Sequence, residues 1–349
     1  VKILLAKRRA LGDTVLLSST VDLIKKVFPA AEVSVLVPQA FLPVLEGHPG
    51  IAKAFTYEQC FLSLAWKFRA EKFDYFFQLQ ASPNTRWLAW ASGAKLTKFH
   101  YQNNETEKAY GKHPNALEWD AFFLRAQFGE KISVPAKNPR IYLSVAEAAE
   151  GARYWKKWGI EGKRVVLFGL GASRATKRWP AAHFARLAEL LRDRMDLIPA
   201  FITGPGEAEE IFAGHVLDQL RAKGLRPIPP GGGKGDFIHG IGLSVRDLAK
   251  ATSAVGAYAG NDSGPKHIAV AVGIPTFTFF GPEDPVEWHP YSQDEHPVFF
   301  IERLLCRAED QGRWCGIAEC ITEKHRCMVD LDPLDAFHAI ENKIGGWSV

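Results

Sequence analysis

Residues 260–285, from Gly260 to Pro285, read GNDSGPKHIAVAVGIPTFTFFGPEDP. A turn of small and polar residues, Gly260–Ser263, gives way to helically spaced apolar residues over Gly264–Val272 and then to an apolar run, Pro275–Phe280. Val255–Ala259, just upstream, is another short apolar run. Strand, tight loop, helix and strand in so few residues make a βαβ unit, and such units build parallel sheets covered by helices. The same grammar precedes it. Arg164–Phe168 reads as a strand, Gly169–Lys177 as a loop, and Pro180–Arg192 as a helix with proline in its first turn. Leu197–Thr203 is a strand and Gly206–Lys223 a helix; a Gly-rich loop, Pro230–Gly235, leads to a helix over Ser244–Ala254 with Ser244 as N-cap and Asp247 three residues on. Pro333–Ile344 closes with a helix.

The beginning of the chain repeats the pattern. Val1–Ala6 reads as a strand, Leu11–Asp13 as a turn, Thr14–Phe28 as a helix and Glu32–Val37 as a second strand. Between residues 60 and 130 aromatic and basic residues interleave around one further strand, Tyr75–Leu79. Pro135–Pro139 is a linker candidate, and Val145–Trp158 reads as a helix joining the halves. The expected domains are 1–150, 151–332, and a terminal segment 333–349 packing back on the first. Two such halves imply a cleft, with ligands beyond the carboxyl ends of the strands.

Composition narrows the class. The 349 residues suggest about two domains, and 47% hydrophobic with 23% charged residues excludes wholesale disorder. A net charge of +4 is too mild to argue for nucleic acid. The first 150 residues hold 19 Lys+Arg against 14 Asp+Glu, so that half is the one expected to face an anion. No apolar run reaches the roughly 18–20 residues of a spanning helix. Ile3–Ala6, followed by Lys7-Arg8-Arg9, is too short and in the wrong order for a signal peptide, so we expect a cytoplasmic protein. The five cysteines, Cys60, Cys306, Cys315, Cys320 and Cys327, contain no CxxC pair, and we expect free thiols.

Four loops carry candidate chemistry. In Gly260–His267, Ser263 can cap the following helix and Gly264 lets backbone approach a phosphate closely, with Lys266 or His267 adding charge or donors; the segment also reads as a plain capped βα turn. Gly169–Pro180 (GLGASRATKRWP) places small residues and Ser173 before Lys177 and a helix start, which suits a second phosphate contact. It is not GxxxxGK[ST], nor a GxGxxG with an acidic residue about 20 later, which disfavours a P-loop NTPase and a dehydrogenase. In Gly204–Glu210, Glu207 or Glu210 can bind vicinal ribose hydroxyls or simply complement a helix dipole. Asp13 is a helix cap or, if desolvated, a general base. Residues 61–125 are core packing with solvated bases, or a surface for an amphiphilic anionic acceptor that uses Lys67, Arg69, Arg86, Lys95, Lys98, Lys108 and Lys112.

Together these loops resemble glycosyltransferase family 9, the heptosyltransferases of lipopolysaccharide core assembly. The resemblance is carried by Leu11-Gly12-Asp13, by the loop ending Lys177-x-Trp179-Pro180, and by Gly260–Pro285, which is similar to the family's D-[ST]-G-x-x-H-x-A-A-x-G-x-P followed by F-G-P-x-D-P. It implies an α/β fold of GT-B architecture, two facing Rossmann-like domains with the nucleotide sugar on the C-terminal one. It further implies an inverting, metal-independent transferase with no cofactor, moving heptose from ADP-heptose to an anionic glycolipid acceptor of the lipid A–Kdo type. By the same resemblance Asp13 is the base, Lys177 and Ser173 meet the diphosphate, and Glu207 or Glu210 meets the ribose. Asp262, Ser263, Gly264 and His267 line the sugar-diphosphate site, and Leu243 borders the base. Lys7, where the family usually carries Arg, joins Lys67, Arg69, Arg86 and Lys98 on the acceptor side. We expect a monomer with peripheral contact to the cytoplasmic face of the inner membrane and no nucleic-acid partner. The competing readings are the same chemistry with another sugar or acceptor, a nucleotide-sugar epimerase, and an inactive carbohydrate-binding protein.

Overall fold

A computed structural model describes residues 1–81, 86–111, 113–133, 138–160, 164–204, 206–308, 315, 319–322 and 324–345. Lys112, Pro135–Lys137 of the expected linker, Pro205 and residues 346–349 lie outside these. The chain divides into two compact units, Val1–Tyr142 and Leu143–Val349.

Among its described residues the first unit holds five strands: β1 (Lys2–Ala6), β2 (Glu32–Val37), β3 (Ile51–Thr56), β4 (Tyr75–Gln78) and β5 (Leu96–Phe99). All pairs are parallel and the order is β3-β2-β1-β4-β5. The central strands are almost wholly apolar because helices cover both faces of a parallel sheet. On one face Leu4, Ala6, Leu36, Phe55 and Phe76 pack with Leu64 and Phe68 of the helix Phe61–Glu71 and with Ala89 of the helix Arg86–Ser92. The strands β3 and β5 were not foreseen. β3 exposes Ala52, Lys53 and Ala54 (IAKAFT) and β5 alternates as a half-exposed edge (LTKF), so neither presents a long apolar run.

The second unit holds β6 (Val165–Gly169), β7 (Ile198–Thr203), β8 (Ile238–Ile241), β9 (Ala257–Asn261), β10 (Thr276–Phe279) and β11 (Val298–Phe299). Their order is β11-β10-β9-β6-β7-β8, again all parallel. Counted from its own first strand, this order is the Rossmann one, and the first unit's sheet follows it through five strands. Alternation splits the strands between two cores. Val166, Phe168, Phe201 and Phe277 join one; Val165, Leu167, Ala200 and Tyr258 join the other, with Trp155 and Trp158. β8 and β11 are short and were also missed. The closing helix, Pro333–Ile344, was expected against the first domain. It is instead built into the second unit's core: Ala336, Phe337, Ile340 and Ile344 are buried beside the helix Ala181–Met195.

In both sheets the order reverses beside the first strand, between β1 and β4 and between β6 and β9, and the loops leaving those strands flank the reversal. At the second of these points Gly169 of β6 is in register with Gly260 of β9, and the buried Tyr258 hydroxyl lies against both. A Cβ on Gly169 would stand 1.9 Å from that hydroxyl oxygen. Gly169→Ala is therefore expected to overpack the site by about 2–3 kcal/mol and to lower the melting temperature of the second unit by ~5–10 °C, read by calorimetry. An unchanged melting profile would mean that Tyr258 has room to move.

Candidate functional site

The second unit's loops converge on one buried carboxylate. Asp262 follows β9 directly, and its side chain is 6% exposed. Its Oδ2 lies 2.6 Å from Lys177 Nζ and its Oδ1 lies 2.6 Å from Lys266 Nζ. Lys266, wholly buried on the helix Gly264–Ala271, also donates to the Trp288 carbonyl at 2.8 Å. Burial acts to protonate Asp262, but Lys266 and Lys177 outweigh it and hold the carboxyl well below the ordinary range. Asp262 is thus an anion clamped between two cations. Lys177, in the 3₁₀ turn Ala175–Lys177, is the partner nearer solvent, with 13% of its side chain exposed.

Asn261, not among the candidate residues of the sequence, fixes the neighbouring loop at both ends. Its Oδ1 accepts the Trp179 N–H at 2.8 Å and its Nδ2 donates to the Leu170 carbonyl at 2.9 Å. Trp179 is fully buried, stacks on Phe279 at 3.8 Å, and donates its indole N–H to the Leu331 carbonyl. Inside the loop, His325 Nε2 meets the Thr176 carbonyl oxygen at 2.6 Å, and Arg174 pairs with Glu283. The loop that presents Lys177 is therefore pinned from β9, β10 and the segment 325–331.

Several expected residues take other parts. His267 does not supply charge: burial, reinforced by Lys266, pushes its pKa well below the usual value, and its Nδ1 lies 2.5 Å from the Tyr291 hydroxyl. Burial likewise brings His289 down to about 3 and His296 to about 4, so this cluster is neutral near pH 7. Ser263 occupies the N-cap position but makes no side-chain cap bond; its side chain lies beside the buried Tyr258 hydroxyl instead. Lys266 spends its charge on Asp262. Ser173 is exposed, Gly264 opens its helix, and Leu243 is half-buried against the second core. Glu207 and Glu210 lie exposed on the helix Glu207–Ala222. The carboxylate that turns inward is Glu209, whose Oε2 accepts the Gly204 N–H at 2.7 Å. A Cβ on Gly171 would stand 2.8 Å from that carboxylate, so the β6 and β7 loops close around it.

In the first unit the helix begins at Leu11, three residues before the expected start, which places Asp13 in its first turn. Asp13 Oδ2 accepts the Ala10 N–H at 2.9 Å, the capping role foreseen as one alternative. Burial raises the Asp13 pKa, opposed by Lys7 and by the Ala10 N–H and assisted by Asp120. Lys7 is not a surface base. It is 1% exposed and paired at 2.7 Å with Asp120, which also accepts from Thr20 at 3.0 Å. Its position at the end of β1, with its N–H on the Leu36 carbonyl, points the stem into the core and makes it a buried counter-ion. Lys67, Arg69, Arg86 and Lys98 do lie at the surface, on the helices Phe61–Glu71 and Arg86–Ser92 and on β5. Lys67 donates to Gln59, Arg69 to the Ala91 carbonyl, and Arg86 to the Tyr101 hydroxyl at 2.7 Å.

Cys306, Cys315, Cys320 and Cys327 line a cavity of about 300 Å³ together with His325. Among the described residues no group of three or more His, Cys, Asp or Glu is arranged to hold a metal ion.

Residues 61–308 match the family described as glycosyltransferase family 9 (heptosyltransferase). A lipooligosaccharide heptosyltransferase 2 of Haemophilus influenzae is 27% identical over 204 residues, covering 57% of this chain and 54% of the relative. The chain thus spans about half the length of the first curated relatives it matches. A family 9 glycosyl transferase from Veillonella parvula superposes with a TM-score of 0.77 at 18% identity, over 98% of this chain and 97% of that one. The ADP-heptose lipopolysaccharide heptosyltransferase II of Escherichia coli superposes with a TM-score of 0.73 at 18% identity, over 99% and 98%. These likenesses assign the fold to the expected GT-B class.

Removing Asp262 leaves one buried and one half-buried ammonium group without their counter-charge. Asp262→Ala is expected to destabilise the second unit by about 3–5 kcal/mol. Lys177→Ala is expected to cost less, because Lys266 still neutralises the carboxylate. Urea unfolding of both variants gives the order, and equal losses would contradict the dominance of the Lys266 pair.

Proposed function

This chain belongs to glycosyltransferase family 9, the heptosyltransferases, and we propose that it moves heptose from ADP-heptose to an anionic inner-core glycolipid with inversion and without a metal. The observation that carries this reading is Asp13. It is a half-buried carboxylate in the first turn of the helix that follows β1, with its pKa raised by burial and its orientation fixed by the Ala10 N–H. A carboxylate of raised basicity that keeps a path to solvent suits a general base.

The second unit supplies the donor site. Lys177 and the N-terminus of the helix Gly264–Ala271 neutralise the leaving diphosphate, and Ser173 adds a hydroxyl donor. Asp262 holds Lys177 in place. Leu243 borders the adenine, and an acidic side chain of the 207–210 turn meets the ribose, with the inward-turned Glu209 added to Glu207 and Glu210. Asp13 takes the proton of the acceptor hydroxyl as that oxygen attacks the anomeric carbon. The C–O bond to the diphosphate breaks on the opposite face, and ADP departs with its electron pair. Lys67, Arg69, Arg86 and Lys98 meet the acceptor's phosphates and carboxylates. The enzyme works as a monomer at the cytoplasmic face of the inner membrane.

The test is incubation with ADP-heptose and a lipid A–Kdo acceptor, with the product read by mass. Asp13→Ala is expected to lower turnover ~10²–10⁴-fold while ADP still binds; retention of more than about a tenth of the activity would remove Asp13 as base. Because the raised pKa belongs to a base that must be ionised, kcat/KM is expected to fall as pH drops through it, at a higher pH than for an ordinary Asp. A chelator is expected to leave the rate unchanged; a loss restored by Mg²⁺ would show that the lysines do not suffice.

A further inference from the structure

Among the described residues Trp288 is half-buried, and the other tryptophans fall into two groups. Trp119, Trp155, Trp158 and Trp179 are buried, whereas Trp66, Trp87 and Trp90 are 73%, 68% and 73% exposed. These three lie on two short neighbouring helices of the first unit. On Phe61–Glu71, Leu64 and Phe68 face the core, while Leu62, Trp66 and Arg69 follow one another at i, i+4 and i+7 on the outer side. On Arg86–Ser92, Ala89 faces the core, and Arg86, Trp87 and Trp90 face out. The helices pack side by side, and Arg69 from the outer stripe of one reaches the Ala91 carbonyl of the other at 3.0 Å. The outer stripes therefore join into one surface. Single exposed apolar residues are ordinary, but three indoles and a leucine together form a patch that water disfavours.

The charge around this patch points to its partner. Residues 61–99 contain six Lys+Arg and two Asp+Glu, a local balance of +4. Both acids are already engaged: Glu71 with Lys53 and Lys2, and Asp74 with Lys95 at 2.7 Å and the Lys2 N–H at 2.8 Å. The surface thus combines indole rings with unopposed positive charge, the pairing suited to the headgroup layer of an anionic bilayer. A second copy of the chain would set this positive face against an identical one, which like-charge repulsion disfavours. The helix Phe61–Glu71, 11 residues and about 16 Å long, is far short of the ~30 Å hydrocarbon core, so on a bilayer it would lie along the surface rather than span it.

We propose that Leu62, Trp66, Trp87 and Trp90 form a membrane-docking face that seats the first unit on an anionic lipid surface. The inference deepens the proposed function, resting on it only for the acceptor's being anchored in that membrane.

Co-sedimentation of the full chain with vesicles tests it. Binding to phosphatidylcholine vesicles containing phosphatidylglycerol is expected to exceed binding to pure phosphatidylcholine and to weaken with salt, since exposed charges are screened within ~8 Å at physiological ionic strength. The triple variant Trp66→Ala/Trp87→Ala/Trp90→Ala is expected to lose at least about tenfold of that binding, with melting temperature and gel-filtration volume unchanged. Transfer to a soluble, delipidated acceptor is expected to be untouched by the triple variant. Full binding by the triple variant, or equal binding to neutral vesicles, would overturn the proposal. So would a gel-filtration shift from dimer to monomer in the variant without a vesicle effect, which would make the face a self-association surface. Vesicle binding that depends on the three tryptophans, in a chain that transfers no heptose, would keep the docking face and remove the activity.

Discussion

The second unit depends on one electrostatic arrangement, a buried carboxylate shared by two ammonium groups. Asp262 stands where β9 ends, Lys266 arrives from the following helix, and Lys177 comes from the loop after β6. Three segments distant in sequence or direction are drawn to one point, and Lys266 extends the tie to Trp288. A buried ion costs much unless it is paired, so the pairing that keeps Asp262 ionised also fixes where Lys177 presents its charge. The neutral histidine cluster beside it is consistent with this economy. His267, His289 and His296 supply hydrogen bonds and shape without adding further positive charge to a site that already holds two ammonium groups.

The first unit repeats the device on a smaller scale. Lys7 and Asp120 form a buried pair near Asp13 and act on it in opposite senses, the ammonium stabilising its anion and the second carboxylate opposing it. Each Rossmann-like sheet thus carries an ionised pair near the point where its strand order reverses, and in both the lysine sits in or just after the loop of the first strand. The topology supplies a place where backbone groups diverge; the pairs decide what charge is offered there.

The fold was legible where strands are continuous apolar runs. Val165–Gly169, Ile198–Thr203 and Lys2–Ala6 announce themselves because both faces are buried. The four strands that escaped notice are short or at least half exposed, and no local period marks them. The site was legible as loops, because Gly260–His267 and Gly169–Pro180 are rich in the residues that end strands and begin helices. Which side chain does what was less legible, since it depends on burial. Nothing in the sequence tells Lys7, sealed under the sheet end, from Arg8 beside it in solvent, or Glu209 from Glu207. Asn261 carries one signal in the sequence: an amide at a strand end can bond two chain segments at once. Its partners, Leu170 and Trp179, lie some 80–90 residues away and only the folded chain brings them to it.

The helix Pro333–Ile344 has a bearing on synthesis. Phe337 and Ile340 complete a core that begins with Val166, so that core stays open until nearly all of the second unit has been translated. At ~5–20 residues per second, the roughly 200 residues from Leu143 to Ile344 take on the order of 10–40 s to make. The first unit has its last packed residues in hand by Tyr142. It can finish folding on the ribosome while β6 and β7 wait, with their apolar faces uncovered, for the final helix to arrive. A chain that stops early therefore leaves one finished unit tethered to one exposed core, which is the kind of nascent product that chaperones and proteases recognise.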